Sequence, residues 1–335
     1  MGALAYVLHV ATVCVAFWLG YKGRPAAPSH SSYSSSPPSP LHSVQLADSA
    51  ACECEIRSVD FGSGEASLVL VEHLSRNVPL RIVGLPDTAS AAFSDANLLD
   101  LAGGRTVELR AMGLHGHVAK KGTRRNGTLA EVLSGGSLAS DWYAAQLSVP
   151  KMLSELQPLL QGGLVSNETK LGKIWREHGG EPLKQSPYLY YYGGRPAEVN
   201  ASAGPALYMH YDAFDNFVHI VDGWKEFLLF DPFQAAAVLY GSNLDHGNGS
   251  PINVDDPNVS SEFPLFRYAV PRCCRIFKGE ALYVPMYWWH RVRSGSSRTI
   301  SLAHFSRGDP SKKDVVGKIL CSASPRPARF ECGGR

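Results

Sequence analysis

From Tyr188 onward the chain is a series of short extended runs, and this limits its fold more than any other feature. After "YLYYYGG" (188–194) come runs at 205–209, 216–221, 225–230, 281–285 and 298–305, with Gly, Pro or Asp at the turns between them. The first half is mixed. "PLRIVGL" (79–85) and "RTVELRAM" (105–112) read as strands, while "SDANLLDLAG" (94–103), "TLAEVLSG" and "VPKMLSELQPLL" read as helices. Helices followed by many short strands predict a mainly β fold with helical decoration, either a β-sandwich or a double-stranded β-helix.

The 335 residues are 44% hydrophobic and include 14 Tyr and 13 Phe, enough for a packed core. A formal charge of +2 without a strong basic run points to neither nucleic acid nor an anionic membrane surface as a partner. Four segments are expected. Residues 1–24 contain "ALAYVLHVATVCVAFWLG" (3–20), a signal peptide or signal anchor that would attach the chain to a membrane. Residues 25–50 are a Ser/Pro-rich stalk, 51–308 a folded domain, and 309–335 a loosely structured tail.

Signs of compartment conflict. Lys22 and Arg24 follow the apolar run and no Lys or Arg precedes it, which favours a cytosolic domain. Five of the ten asparagines stand in N-x-S/T sequons, at 126, 167, 200, 248 and 258, which favours the endoplasmic reticulum or Golgi lumen. The sequons weigh more, because charge bias governs short loops and a large domain translocates largely regardless of it. Apart from Cys14, six cysteines remain. Cys52 and Cys54 with Cys273 and Cys274, and Cys321 with Cys332, is one of about fifteen possible connectivities. A zinc half-site at "CEC" is the rival reading.

"LYMHYDAFDNF" (207–217) places His210 and Asp212 two residues apart, so on a strand both would project from one face. A third ligand is available in His290, at the end of "EALYVPMYWWH" (280–290), where a strand and the turn at Pro285 could bring the imidazole back. Two histidines and a carboxylate form the facial triad of non-haem Fe(II) oxygenases.

At this point "HYDAFDNFVHIVDGWKEFLLFDP" (210–232) and "KGEALYVPMYWWHRV" (278–292) resemble the JmjC-type, cupin-fold oxygenases, in particular the small hydroxylase branch that includes the asparaginyl hydroxylase of hypoxia-inducible factor. The likeness extends over roughly 79–306. It implies a double-stranded β-helix (jelly-roll) core, Fe(II) and 2-oxoglutarate as cofactors, and catalysis at His210, Asp212 and His290 as metal ligands. It further implies that Lys225 binds the distal carboxylate of 2-oxoglutarate, that the Tyr143 hydroxyl supports it, and that Asn216 stands beside the iron. Departures from the family are Leu207, where a co-substrate-binding Thr often stands, and Ala303, where Asn is common, with His304 adjacent.

The activity so implied is oxidative decarboxylation of 2-oxoglutarate to succinate, using dioxygen to hydroxylate a C–H bond of a protein or peptide substrate. Phe217, Trp224, Trp288 and Trp289 are expected to wall the site, and "HGH" (115–117) is a weak second metal candidate. The alternatives are a cupin-fold binding or scaffold protein without turnover, and a JmjC demethylase. The latter is disfavoured because no basic targeting region or chromatin-reading zinc module is visible.

Overall fold

The structure is a computed structural model. It describes residues 52, 54–86, 92–112, 117–118, 122–134, 141–160, 165, 169–194, 204–234 and 248–312. The apolar segment 3–20, the stalk, Cys321, Cys332, His115, and the sequons at 167 and 200 lie outside them. Among the described residues no helix is long and apolar enough to cross a membrane.

Among the described residues fourteen strands form two sheets. In chain order they are β1 (Ser58–Asp60), β2 (Leu80–Val83), β3 (Thr106–Ala111), β4 (His117–Val118), β5 (Arg124–Thr128), β6 (Trp142–Ser148) and β7 (Tyr188–Tyr192). There follow β8 (Ala206–Leu207), β9 (Asp215–Asp222), β10 (Trp224–Phe230), β11 (Arg272–Phe277), β12 (Ala281–Val284), β13 (Trp289–Ser294) and β14 (Thr299–Ser306). The larger sheet runs β1-β2-β12-β9-β14-β7-β6-β3-β5 and the smaller β11-β10-β13-β8-β4. From β9 onward the chain crosses between the sheets at β9/β10, β11/β12, β12/β13 and β13/β14, which is the jelly-roll core expected of the sequence.

Packing on both faces explains why the central strands show no polar alternation. In β9, Val218 and Ile220 face the smaller sheet and join Phe227, Leu229 and Ile276. Phe217 faces the other way, into a layer that includes the helix Ala66–Arg76 and Trp175 of the helix Lys170–Glu177. The rings of Trp175 and Phe217 meet edge to face at 5.0 Å. The helix Ala66–Arg76 buries Ala66, Val69, Leu70 and Leu74, the i, i+3, i+4, i+8 stripe of an amphipathic helix. Asn77, in the left-handed region at φ 55°, ends it.

Local readings diverge in places. The helix at 94–103 appears as Asp95–Ala102 with Ser94 as its cap. The stretch taken as helical after residue 128 holds a five-residue helix, Leu129–Leu133, and then the strand β6. "VPKMLSELQPLL" divides into a single α-turn, Val149–Met152, and a 3-10 segment, Ser154–Leu160, containing Pro158. Proline lacks the N–H that a continuous helix needs.

Two disulfides, Cys52–Cys273 and Cys54–Cys274, tie the segment before β1 to β11. This removes the zinc reading of "CEC". Glu55 N donates to Cys273 O at 3.0 Å, so the strap lies along the outer edge of the smaller sheet.

Candidate active site

A cavity of about 310 Å³ opens between the two sheets, in the lower part of the small-molecule range. His210, Asp212 and His290 converge in it, with their ligand atoms all within 4.8 Å of one another. The H-x-D pair does not sit on a continuous strand as expected. β8 ends at Leu207, and Asp212 lies in the bend that leads into β9. Tertiary pairing achieves the convergence: His210 and His290 exchange backbone hydrogen bonds of 3.1 and 2.7 Å, and Tyr287 N donates to Asp212 O at 2.7 Å. Tyr211, between the ligands, turns away to pack on Trp289 at 4.7 Å.

The imidazoles are fixed by second partners. His210 Nδ1 lies 2.8 Å from Tyr208 O, and His290 Nδ1 2.8 Å from Trp288 O. A carbonyl accepts only, so each Nδ1 carries the proton and each Nε2 presents a lone pair to the cavity. His290 Nε2 is 3.7 Å from an Asp212 carboxylate oxygen. This donor set fits a divalent ion.

The turn carrying His290 is held from three directions. Tyr287 adopts φ 67°, a left-handed conformation rare outside glycine. Asp215 accepts from Met286 N and from the Tyr283 hydroxyl, each at 3.0 Å. Asn77 donates to Met286 O at 3.2 Å and accepts from Trp288 Nε1 at 2.8 Å.

Lys225 forms the inner end of the cavity. It is 3% exposed, and its ammonium donates to the Tyr143 hydroxyl at 3.3 Å and lies 4.7 Å over the Tyr190 ring. Among the described residues no carboxylate pairs with it, and burial pushes its pKa down from 10.5 to about 7. A buried cation without a counter-anion is destabilising unless a ligand supplies one. Asn216 also lines the cavity, with Oδ1 buried and, among the described residues, without a hydrogen-bond partner. Leu207 and Ala303 stand on the wall as apolar residues. His304, next to Ala303, is no substitute: it points through the sheet, where burial and His219 push its pKa down to about 3.

The walls are a correction. Phe217, Trp224, Trp288 and Trp289 do not line the cavity; Val218, Phe227, Val284, Val292 and Phe305 do. With a period of two, Asn216 and Val218 facing inward send Phe217 outward. Sequence reasoning missed Arg110, Arg124, Gln146, Tyr208 and Asn248 on the wall. Gln146 enters through a bulge in β6, where Ala144 opposes Tyr191 but Leu147 opposes Leu189, leaving Gln146 at φ 57°.

Asn248 carries a sequon, yet its Nδ2 donates to Tyr211 O at 2.5 Å and its neighbour Gly249 bridges to His210. Asn126 and Asn258 are exposed. Of "HGH", His117 pairs as backbone in β4, and His115 lies outside the described residues.

A stretch of the chain is 32% identical to the human tRNA wybutosine-synthesizing protein 5 over 133 residues, which is 39% of this chain and 41% of that protein. Over 105 residues it is 33% identical to human HSPB1-associated protein 1, covering 30% of this chain and 21% of the relative. It is 32% identical over 110 residues to the Arabidopsis thaliana lysine-specific demethylase JMJ30, covering 32% and 25%. The chain thus spans less than half the length of each of these relatives. The family model described as a cupin-like domain matches residues 72–310, which takes in every strand but β1 and every residue placed around the cavity, and the chain belongs to this cupin-like, JmjC-type family.

Proposed function

We propose that the chain is an Fe(II)- and 2-oxoglutarate-dependent dioxygenase that hydroxylates a protein side chain in the secretory pathway. One observation carries the reading: two Nε2 lone pairs and a carboxylate converge beside a buried lysine that has no counter-anion among the described residues. Three protein ligands leave open positions on a divalent ion for a chelating co-substrate and dioxygen. When bound, Fe(II) and 2-oxoglutarate would supply the oxidation, decarboxylating the 2-oxoacid to succinate and delivering one oxygen atom to a substrate C–H bond.

The protein's own part is binding, orientation and exclusion of water. Lys225 and the Tyr143 hydroxyl at the inner end would hold the distal carboxylate. Tyr190, beside them on the wall, is available where the family's Thr is replaced by Leu207. The Asn216 carboxamide, with an unused acceptor, is placed to orient a ligand next to the metal. Val218, Phe227, Val292 and Phe305 keep water from the inner half.

The lumenal placement is supported by the two disulfides, which persist in oxidising compartments, and by the exposed sequons at Asn126 and Asn258. Membrane attachment through the N-terminal segment is part of the same proposal.

The test is succinate production from 2-oxoglutarate by the purified chain with Fe(II), with mass spectrometry of secretory proteins that lose one oxygen atom when the gene is deleted. Asp212→Ala should abolish turnover and weaken metal uptake while the urea midpoint holds. Undiminished turnover in that variant would sink the assignment, and a wild-type chain that binds metal and 2-oxoglutarate without turnover would favour the scaffold alternative.

A further inference from the structure

We propose that Lys312, beyond the last strand, is a positioning residue for the metal site: through Asp215 its buried ammonium holds the turn that carries His290. The segment that follows β14 then works with the site instead of trailing from it as a tail. The proposal rests on the oxygenase reading for what the turn holds, and on the chain's own ion pair for how the turn is held.

Packing gives the first argument. After β14 the chain turns at Gly308, at φ 64°, and enters a helical turn at 310–312, where the Asp309 carboxylate accepts from Ser311 N at 2.8 Å. A Cβ on Gly308 would collide with Met286 Cε and stand 2.8 Å from Asp215 Oδ2, so glycine is what lets the segment come this close. On its other side Gly179 faces the Asp309 backbone, and Arg307 N donates to Glu181 O at 3.0 Å. The segment is thus pressed from outside against the turn that carries His290.

Charge gives the second. Lys312 is 9% exposed, and its Nζ lies 3.7 Å from Asp215 Oδ2, without a hydrogen-bond partner among the described residues. Asp215 is itself buried, at 1%. A pair of this kind adds little net stability, but removing one partner strands the other. Burial pushes the Asp215 carboxyl up, and Lys312 leads the groups that pull it back, ahead of Met286 N and the Tyr283 hydroxyl. These groups face it from the segment, the turn and β12. Asp309 acts on Lys312 from the exposed side, and Arg307 is turned to Glu181.

Position carries the pair to the metal ligands. Asp215 opens β9 three residues after Asp212, and it accepts from Met286 N, four residues before His290. The next amide, Tyr287 N, donates to Asp212 O, and His290 N donates to His210 O, each at 2.7 Å. One carboxylate therefore stands behind both arms of the ligand set. Its Oδ1 accepts from Met286 N and the Tyr283 hydroxyl, while its Oδ2 faces Lys312. Protonation of Asp215 would remove the charge that strengthens both bonds, and Lys312 opposes that protonation.

The experiment follows the full chain from about pH 6 to 8 in two ways: ligand-free, by amide hydrogen exchange at Met286, and with Co(II), by visible absorption and affinity. Loss of the neighbouring cation should raise the Asp215 titration by about one to two pH units. In Lys312→Met, exchange at Met286 near pH 6 should therefore be about tenfold faster than in the wild type and Co(II) binding about tenfold weaker, both ratios narrowing toward pH 8. Ratios are read because protonation of the histidine ligands weakens both proteins alike. Lys312→Arg should stay near the wild type, and so should Arg307→Gln, which releases an exposed pair on the same segment. If Lys312→Met does not fold, adding Asp215→Asn should restore folding by removing the stranded charge; a double variant that stays unfolded would overturn the proposal. So would ratios that stay level with pH, a loss shared by Lys312→Arg or Arg307→Gln, or exchange that quickens as much at Leu302, in the middle of β14, as at Met286, since Lys312 would then only fill space. Wild-type behaviour of Lys312→Met would overturn the positioning role and leave the oxygenase reading standing. A wild-type chain that takes up no Co(II) would refute the oxygenase reading, and the positioning role with it.

Discussion

Replacing Lys225 by methionine should strengthen the fold while it weakens the co-substrate's hold. The ammonium is buried with no counter-ion among the described residues, and its pKa falls from 10.5 to about 7. That difference is worth on the order of 5 kcal/mol. Below about pH 7 the lysine is charged in both folded and unfolded chains, and the folded state carries the whole penalty. Between about 7 and 10.5 the unfolded chain binds a proton that the folded chain does not, so wild-type stability rises with pH. Methionine, apolar and of similar length, escapes the penalty. Urea denaturation of the ligand-free protein should therefore favour Lys225→Met by several kcal/mol at pH 6, narrowing to about 2 kcal/mol at pH 9. Co-substrate affinity should move the other way, dropping about ten- to a hundredfold in the variant for the loss of one charge-assisted bond. In the wild type it should be level below about pH 7 and then decline by up to about tenfold per pH unit, because the dianion needs the protonated lysine. N-oxalylglycine titrations at saturating Mn(II) measure this. A variant less stable than wild type at pH 6, or an affinity indifferent to both Lys225 and pH, would refute the reasoning.

Asp215→Ala should cost about 3–5 kcal/mol in urea denaturation, because it leaves Lys312 buried without its partner and frees the Met286 amide and the Tyr283 hydroxyl. Metal affinity measured by calorimetry should fall with it, since the same carboxylate holds the turn that carries His290. Protein from a secreting cell should lose mass on treatment with N-glycosidase, with glycans at the exposed Asn126 and Asn258 and none at Asn248, whose amide is committed to Tyr211 O. Peptide mapping that finds Asn248 glycosylated in folded, metal-binding protein would contradict this geometry. Cys52→Ser and Cys54→Ser should each cost little alone, while the double variant loses about 5 kcal/mol. The two bridges close nearly the same loop, of 221 and 220 residues, so either one removes most of the chain entropy. Additive losses in urea midpoints would show that strain or packing, rather than loop closure, governs the pair.

The sequence makes the metal ligands legible because their chemistry is rare and local, whereas the rest of the cavity depends on which face each residue takes. His210, Asp212 and His290 stand out as residue types at a spacing. Phe217 and Val218 look equally suited to a pocket wall, and only the register of β9 decides that Val218 faces inward. Gln146 is harder still, since a strand that kept its period would place it with Leu147's neighbours rather than beside Tyr190; the bulge that turns it inward has no glycine to announce it. The segment 142–148 was obscured by its alanines, which carry little strand preference of their own and are extended here because Tyr191 and Leu189 pair with them and their neighbours. Conversely, the helix Ala66–Arg76 has a readable apolar stripe, but "FGSGE" upstream suggests a loop rather than a helix start.

The strap that ties Cys52 and Cys54 to β11 sets a timetable for synthesis. Its cysteines are among the first described residues to be made and among the last to be secured, because their partners follow 221 and 220 residues later. At typical translation rates that interval is about 10 to 45 s, during which both must remain thiols or pair wrongly and be reshuffled. His290 emerges only seventeen residues after Cys273, so the bond that closes the domain and the ligand that completes the metal site become available almost together. A chain released early, short of β11, would have neither, and a chain that reaches the end of β13 has the parts for both.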